Sequence, residues 1–127
     1  GLTRKLLVGL AGEDPDVIVF ELGDGLIGAY GVEAILLDTE VRNALSALIL
    51  CANDPVGALG GVKLLREEFD IEPVAVTGPA TDNQVGIEII ERRLGVRAAN
   101  ALTQGAALGD LIQDQVGLAS ASTEVAP

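Results

Sequence analysis

Pro73-Val74-Ala75-Val76-Thr77-Gly78-Pro79-Ala80-Thr81-Asp82-Asn83 is the stretch on which the fold turns. A short aliphatic run stops at a Gly-Pro breaker, and a polar cluster then opens an amphipathic segment. A run this short, bounded by breakers on both sides, reads as a buried strand rather than a helix. The same grammar recurs upstream, where Ala47-Leu48-Ile49-Leu50-Cys51-Ala52 runs into Asn53-Asp54-Pro55. It occurs earlier still, where Val17-Ile18-Val19-Phe20-Glu21-Leu22 runs into Gly23-Asp24-Gly25. A weaker fourth run, Val96-Arg97-Ala98-Ala99-Asn100, precedes Thr103.

The intervening stretches have the length and periodicity of crossover helices. Asp54 followed by Pro55 reads as an N-cap with proline at the first helical position. Val56, Leu59, Val62, Leu65 and Phe69 then form an apolar stripe. Thr81-Asp82-Asn83-Gln84 fits a capping box, opening a helix that carries Val85, Ile89 and Ile90 inward, ends in Arg92 and Arg93, and stops at Gly95. Val32, Ile35 and Leu36 begin a helix after the first run, and Leu108, Leu111, Ile112 and Val116 mark a last one. Residues 2–13 read as a leading helix. Repeated strand–helix–strand units imply an α/β fold, a three-layer sandwich with a mainly parallel sheet of about four strands, Rossmann-like or P-loop-like. Residues 1–117 are expected to form a single α/β domain, with 118–127 a flexible tail.

Composition narrows the function. The chain has 127 residues, 49% of them hydrophobic, which is enough for one core, and only Phe20, Phe69 and Tyr30 are aromatic. That core must be aliphatic, as in parallel sheets covered by helices. Eight basic residues against nineteen acidic ones give a net charge of −11, which opposes a surface that tracks phosphates. Nucleic acid is therefore not an expected partner. Histidine is absent, which removes His-based triads and His metal sites. Cys51 is the single cysteine and lies in an apolar run, so a buried, inert thiol is expected. No segment has the length of a membrane span, and a reducing, cytoplasmic setting is the default. The chain starts at Gly1 and lacks Met, so a fragment or processed product, with a segment missing from its front, is expected.

In parallel sheets ligands bind at the carboxyl ends of the strands. Asp24, Asp54 and Asp82 each follow a strand-like run, and with Asn53, Asn83 and Asn100 they should gather along one edge. Helix capping and turn formation explain Asp54 and Thr81 equally well. Gly23-Asp24-Gly25-Leu26-Ile27-Gly28 matches G-x-G-x-x-G after a strand-like run, the place of a dinucleotide fingerprint. Glu21 and Asp24, however, put negative charge where a pyrophosphate would lie, and a plain Gly-rich turn is the simpler reading. Alternatively, the run delivers Glu21, with Asp24 as an outer ligand, to a Mg²⁺ that bridges phosphates.

Residues 16–25 (DVIVFELGDG), 52–58 (ANDPVGA) and 76–79 (VTGP) together resemble the second half of a P-loop NTPase of the dethiobiotin-synthetase and cobyrinic-acid-synthase type. The resemblance spans roughly residues 16–102. It implies that Glu21 is a Mg²⁺-associated carboxylate and that Asp24 with Gly25 forms an acceptor-side loop. It also implies that Asn53, Asp54, Thr77 and Gly78 lie near a nucleotide base. Gly23, Asp82 and Asn83 complete the expected small-molecule face. G-x-x-x-x-G-K-S/T occurs nowhere in the chain, so the phosphate cradle and its lysine are absent. Two functions follow as expectations. One is the acceptor-side half of a Mg²⁺-nucleotide-dependent ligase or synthetase, inactive alone. The other is a non-catalytic domain that binds a small metabolite or nucleotide, or that assembles into a homo-oligomer.

Overall fold

The computed structural model describes residues 1–117, so the tail expected at 118–127 lies outside the described residues. The chain divides into two compact units, one formed by residues 1–45 and the other beginning at Ser46.

The first unit contains three helices, α1 (Leu2–Ala11), α2 (Val32–Leu37) and α3 (Thr39–Ala44). Val32, Leu36 and Val41 are buried. Asp38 sits between α2 and α3 and caps α3, its Oδ1 accepting from the backbone N–H groups of Glu40 and Val41 at 3.0 and 3.3 Å. Arg4 of α1 donates to the same carboxylate from Nε at 2.6 Å and Nη2 at 2.9 Å. The guanidinium and the two backbone donors hold the Asp38 carboxyl below its ordinary value, at about 2. One charged group thereby links α1, α2 and α3.

The run at residues 17–22 is not a strand, which corrects the sequence expectation. Its residues have no hydrogen-bonded neighbour among the described residues, and Val19 is 89% exposed. High β propensity makes a strand only where a partner completes the ladder.

The second unit begins with β1 (Ile49–Cys51) and continues through α4 (Pro55–Glu68), β2 (Ala75–Thr77), a single 3₁₀ turn (Pro79–Thr81) and α5 (Gln84–Leu94). It then runs through β3 (Arg97–Ala98) and α6 (Gly105–Val116). The strands form a parallel sheet in the order β1-β2-β3. Ile49, Leu50 and Cys51 pair with Ala75, Val76 and Thr77, while Ala75 and Val76 pair with Arg97 and Ala98. Three short strands replace the four of a full three-layer sandwich. The α/β class with a parallel sheet holds.

Burial explains why the runs at 49–51 and 75–77 become strands. All three residues of β2 are buried, as a central strand covered on both faces requires. One face, carrying Ala75, packs with Ala99 against Leu108, with Ile49, Leu111 and Ile112 around them. On the other side, Leu50 lies so close to α4 that a β-carbon at Gly61 would meet its Cδ2 at 2.7 Å. Val62, Leu65 and Phe69 of the α4 stripe, together with Ile90 of α5, are almost wholly buried. Burying a side chain of this size stabilises the fold by about 1.5–3 kcal/mol. Val56 and Leu59 of the expected stripe are exposed instead, as is Val85 of the face of α5 expected inward, where Ile87 is buried in its place.

Arg66 joins the far ends of these helices. Its Nε and Nη2 donate to Glu72 at 2.7 Å each, and Nη2 also donates to the carbonyl of Leu94, the last residue of α5, at 2.8 Å. The guanidinium satisfies a helix-end carbonyl and holds the Glu72 carboxyl below its ordinary range. Among the described residues no helix is long and apolar enough to cross a membrane.

Gly78 is where the backbone leaves the sheet, with φ 91° and ψ −171°, a conformation open essentially to glycine. A β-carbon there would lie 2.7 Å from the carbonyl oxygen of Ala52 and 3.1 Å from its nitrogen. Gly78→Ala is therefore expected to lower unfolding free energy by about 2–5 kcal/mol, through backbone strain and a clash with main chain that cannot give way. Gly60, in α4, has open space at its β-carbon. Gly60→Ala should raise stability by about 0.5–1 kcal/mol through helix propensity. Urea denaturation of the two variants measures both effects.

Candidate functional site

Because the three strands are parallel, the segments leaving them start from one edge. Residues 52–54 leave β1, Gly78 leaves β2, and residues 99–100 follow β3. The first two are locked by main-chain bonds. The N–H of Ala52 donates to the carbonyl of Thr77, and the N–H of Ala80 donates to the carbonyl of Ala52, each at 3.0 Å. The third is tied in by Thr77, whose buried Oγ1 accepts from the N–H of Ala101 at 3.0 Å.

Asn100 is the hub of this edge. It is 5% exposed, and its Nδ2 donates to Thr81 Oγ1 at 3.2 Å and to Asp82 Oδ1 at 3.0 Å. Its Oδ1 accepts from the N–H groups of Leu102 and Thr103 at 3.0 and 3.2 Å. Its own N–H donates to Gln104 Oε1 at 2.9 Å. Thr81 Oγ1 in turn donates to the carbonyl of Gly78 at 2.7 Å. One amide thus joins the loop after β2 to the loop after β3. Among the described residues no buried side-chain nitrogen or oxygen lacks a partner. A fully satisfied buried network of this kind fixes one arrangement of the loops it joins.

The expected capping box is corrected by this geometry. Thr81 is buried in the network, and the N-cap of α5 is Asn83, whose Oδ1 accepts from the N–H of Gly86 at 2.9 Å. Asp54 caps α4 as expected, its Oδ1 accepting from the N–H of Gly57 at 2.7 Å. Asn53 is exposed, and its side chain makes no hydrogen bond among the described residues. Asp82 is exposed, with one carboxylate oxygen engaged. Cys51 is exposed rather than buried, at the end of β1, which is an edge strand of the sheet.

Six of the expected residues therefore share the carboxyl edge: Asn53, Asp54, Thr77, Gly78, Asp82 and Asn83. Thr77 and Gly78 hold the edge together, Asp54 and Asn83 cap the helices that leave it, and Asn53 and Asp82 point polar groups outward. Gln104, which sequence reasoning missed, completes the network. A glutamine just before a helix carries no pattern that would single it out.

The other four expected residues, Glu21, Gly23, Asp24 and Gly25, lie in the first unit. Glu21 is exposed. Asp24 Oδ2 accepts from the N–H of Tyr30 at 3.3 Å, and a β-carbon at Gly28 would fall 2.0 Å from that same oxygen. The G-x-G-x-x-G turn folds back on its own carboxylate, Asp24 lying beside Gly28. Among the described residues no group of three acidic or cysteine side chains is placed to hold a metal ion.

A separate polar cleft of about 370 Å³ lies between α5, β3 and α6, lined among others by Gln84, Glu91, Arg97, Gln104, Asp110 and Asp114. Glu91 Oε2 accepts from Arg97 Nε at 3.0 Å and from the N–H of Ala98 at 3.3 Å, which satisfies a donor on the outer edge of β3. Covering an edge donor with a carboxylate discourages further strand pairing there.

The network gives a direct test of which residues hold the edge and which are free. Asn100→Ala should cost about 2–4 kcal/mol, because it strands several partners in a buried setting. Asn53→Ala should change stability by less than about 0.5 kcal/mol. Chemical denaturation of both variants compares them, and equal losses would contradict the assignment.

No protein-family model matches the chain, and no similar curated protein or solved structure was found. The carboxyl edge of the β1-β2-β3 sheet is thus the feature on which a functional reading rests.

Proposed function

We propose that the chain is the acceptor-side portion of a Mg²⁺-nucleotide-dependent ligase- or synthetase-like NTPase, inactive by itself, with the carboxyl edge of β1-β2-β3 as its small-molecule face. The observation that carries this reading is the placement of Asn53, Asp54, Thr77, Gly78, Asp82 and Asn83 along one edge of a parallel sheet. Such edges are where open α/β sheets take ligands. The free amide of Asn53 offers both a donor and an acceptor, the combination that reads the edge of a nucleobase. Val56 and Val85, exposed in the first turns of α4 and α5, supply apolar surface for a ring. In this reading Glu21 and Asp24 are the carboxylates associated with Mg²⁺. The chain carries no phosphate-loop lysine, so phosphate chemistry requires one from elsewhere.

A second reading, a non-catalytic metabolite-binding or assembly domain, is favoured by a specific observation. Asp54 and Asn83 each already use one side-chain oxygen at a helix N-terminus, and the buried side-chain groups among the described residues are satisfied without a ligand. Nothing at this edge then needs a bound group to be stable.

Titrating the ¹⁵N-labelled chain with Mg²⁺-ATP separates the two. The proposal expects amide shifts at Asn53, Gly78 and Asn83, no release of phosphate, and loss of the response in Asn53→Ala with the remaining spectrum intact. Glu21→Gln should remove the Mg²⁺-dependent part of the response. Absence of any nucleotide shift, together with thermal stabilisation by a metabolite without Mg²⁺, would establish the second reading instead.

A further inference from the structure

Residues 17–22 combine three properties that rarely coexist in a finished fold. They are β-branched, aromatic or otherwise apolar at every position but Glu21, their backbone forms neither helix nor strand, and Val17, Val19 and Phe20 face solvent while Ile18 and Leu22 are half-buried. Val17, Val19 and Phe20 are 41, 89 and 38% exposed, and Ile27 and Tyr30 on the following turn are 75 and 86% exposed. Among the described residues no hydrogen bond is made by a donor or acceptor of residues 17–22. The only non-glycine residue with a left-handed backbone in this unit is Asp14, before the run, so nothing in the segment obstructs a ladder. An unpaired run of this kind is a template for strand addition.

We infer that residues 17–22 form a docking strand for a basic, strand-forming segment of another polypeptide. The charge pattern selects the occupant. Between Lys5 and Arg42 the chain contains no Lys or Arg, while Glu13, Asp14, Asp16, Glu21 and Asp24 surround the run. A second copy of the chain fits poorly. Antiparallel self-pairing centred between Ile18 and Val19 sets Asp16 opposite Glu21, and parallel pairing in register sets each acid opposite itself. Like charges directly opposite destabilise a ladder. A partner strand with β-branched residues in its middle and lysine or arginine at its ends covers the apolar side chains and pairs both acids. The inference rests on the exposure and charge of residues 17–22 and does not require the nucleotide reading, in which Glu21 attends Mg²⁺ instead.

The test uses two synthetic peptides, each of alternating valine and threonine, one with lysines at both ends and one with glutamates. Amide hydrogen exchange of residues 17–22 is followed by NMR with each peptide, at low and at high salt. The lysine peptide is expected to slow exchange of these amides by about tenfold or more, less so at high salt, while the glutamate peptide has no effect. The double variant Asp16→Lys, Glu21→Lys changes two exposed side chains and should reverse the preference. Equal protection by both peptides, or by neither, overturns the inference. Protection that grows with protein concentration alone also overturns it, by making a second copy the occupant.

Discussion

The close approach of Gly78 to Ala52 is the constraint on which the second unit depends. At that point the chain leaves β2 in a glycine-only conformation, passes over the end of β1, and turns into the 3₁₀ segment that leads to α5. The bonds from Ala52 to Thr77 and from Ala80 to Ala52 exist because no side chain intervenes. The position of Thr81, and through it the reach of Asn100, follows from the same turn. A sheet with strands of two or three residues has little ladder to hold it, so its order comes from the cover of α4, α5 and α6 and from this locked edge.

The two units differ in how their order is supported. In the second, an aliphatic core around Val62, Leu65, Phe69, Val76 and Ile90 is closed off from water. In the first, the stated links are charged and half-exposed: Arg4 reaches Asp38 and Glu40, and α1 has no buried residue. Exposed ion pairs contribute little to stability, and the Asp38 cap contributes more through its backbone donors than through its charge. A region with few buried contacts is where opening and partner binding are energetically cheap.

Much of the second unit was legible in its sequence because breakers and apolar runs coincide there. Asn53-Asp54-Pro55 and Gly78-Pro79 stop a strand and start a helix by local chemistry, and that chemistry operates in the folded chain as written. The run at 17–22 has equally strong local signals and still forms no strand. Strand formation depends on a neighbour that periodicity does not name, which is why the expected count of four strands was one too many. Asn83 rather than Thr81 caps α5 for a related reason. Both residue types cap well, and the choice was made by the buried site at Asn100, which took the threonine. Cys51 was misplaced because an apolar run does not reveal that its last residue ends an edge strand. That Asn53, Asp54, Asp82, Asn83 and Asn100 follow strands of one sheet was readable from the parallel repeat, which wrongly added Asp24; Thr77 and Gly78 entered only through the resemblance, and the division of labour among these residues needed the hydrogen bonds.

Whether a polar cluster at a strand edge is a site or a brace is decided by what remains unspent after folding. Here Thr77 and Asn100 are spent, Asp54, Asn83 and Asp82 are spent in part through one oxygen each, and Asn53 is not. Hydrogen exchange of the free chain, followed amide by amide, tests this account most directly. The account predicts that the amides of Ala52, Ala80 and Ala99 exchange only through unfolding of the second unit, while those of residues 17–22 exchange without protection. Protected amides at 17–22 in the chain alone, or freely exchanging ones at Ala52 and Ala80, would contradict it.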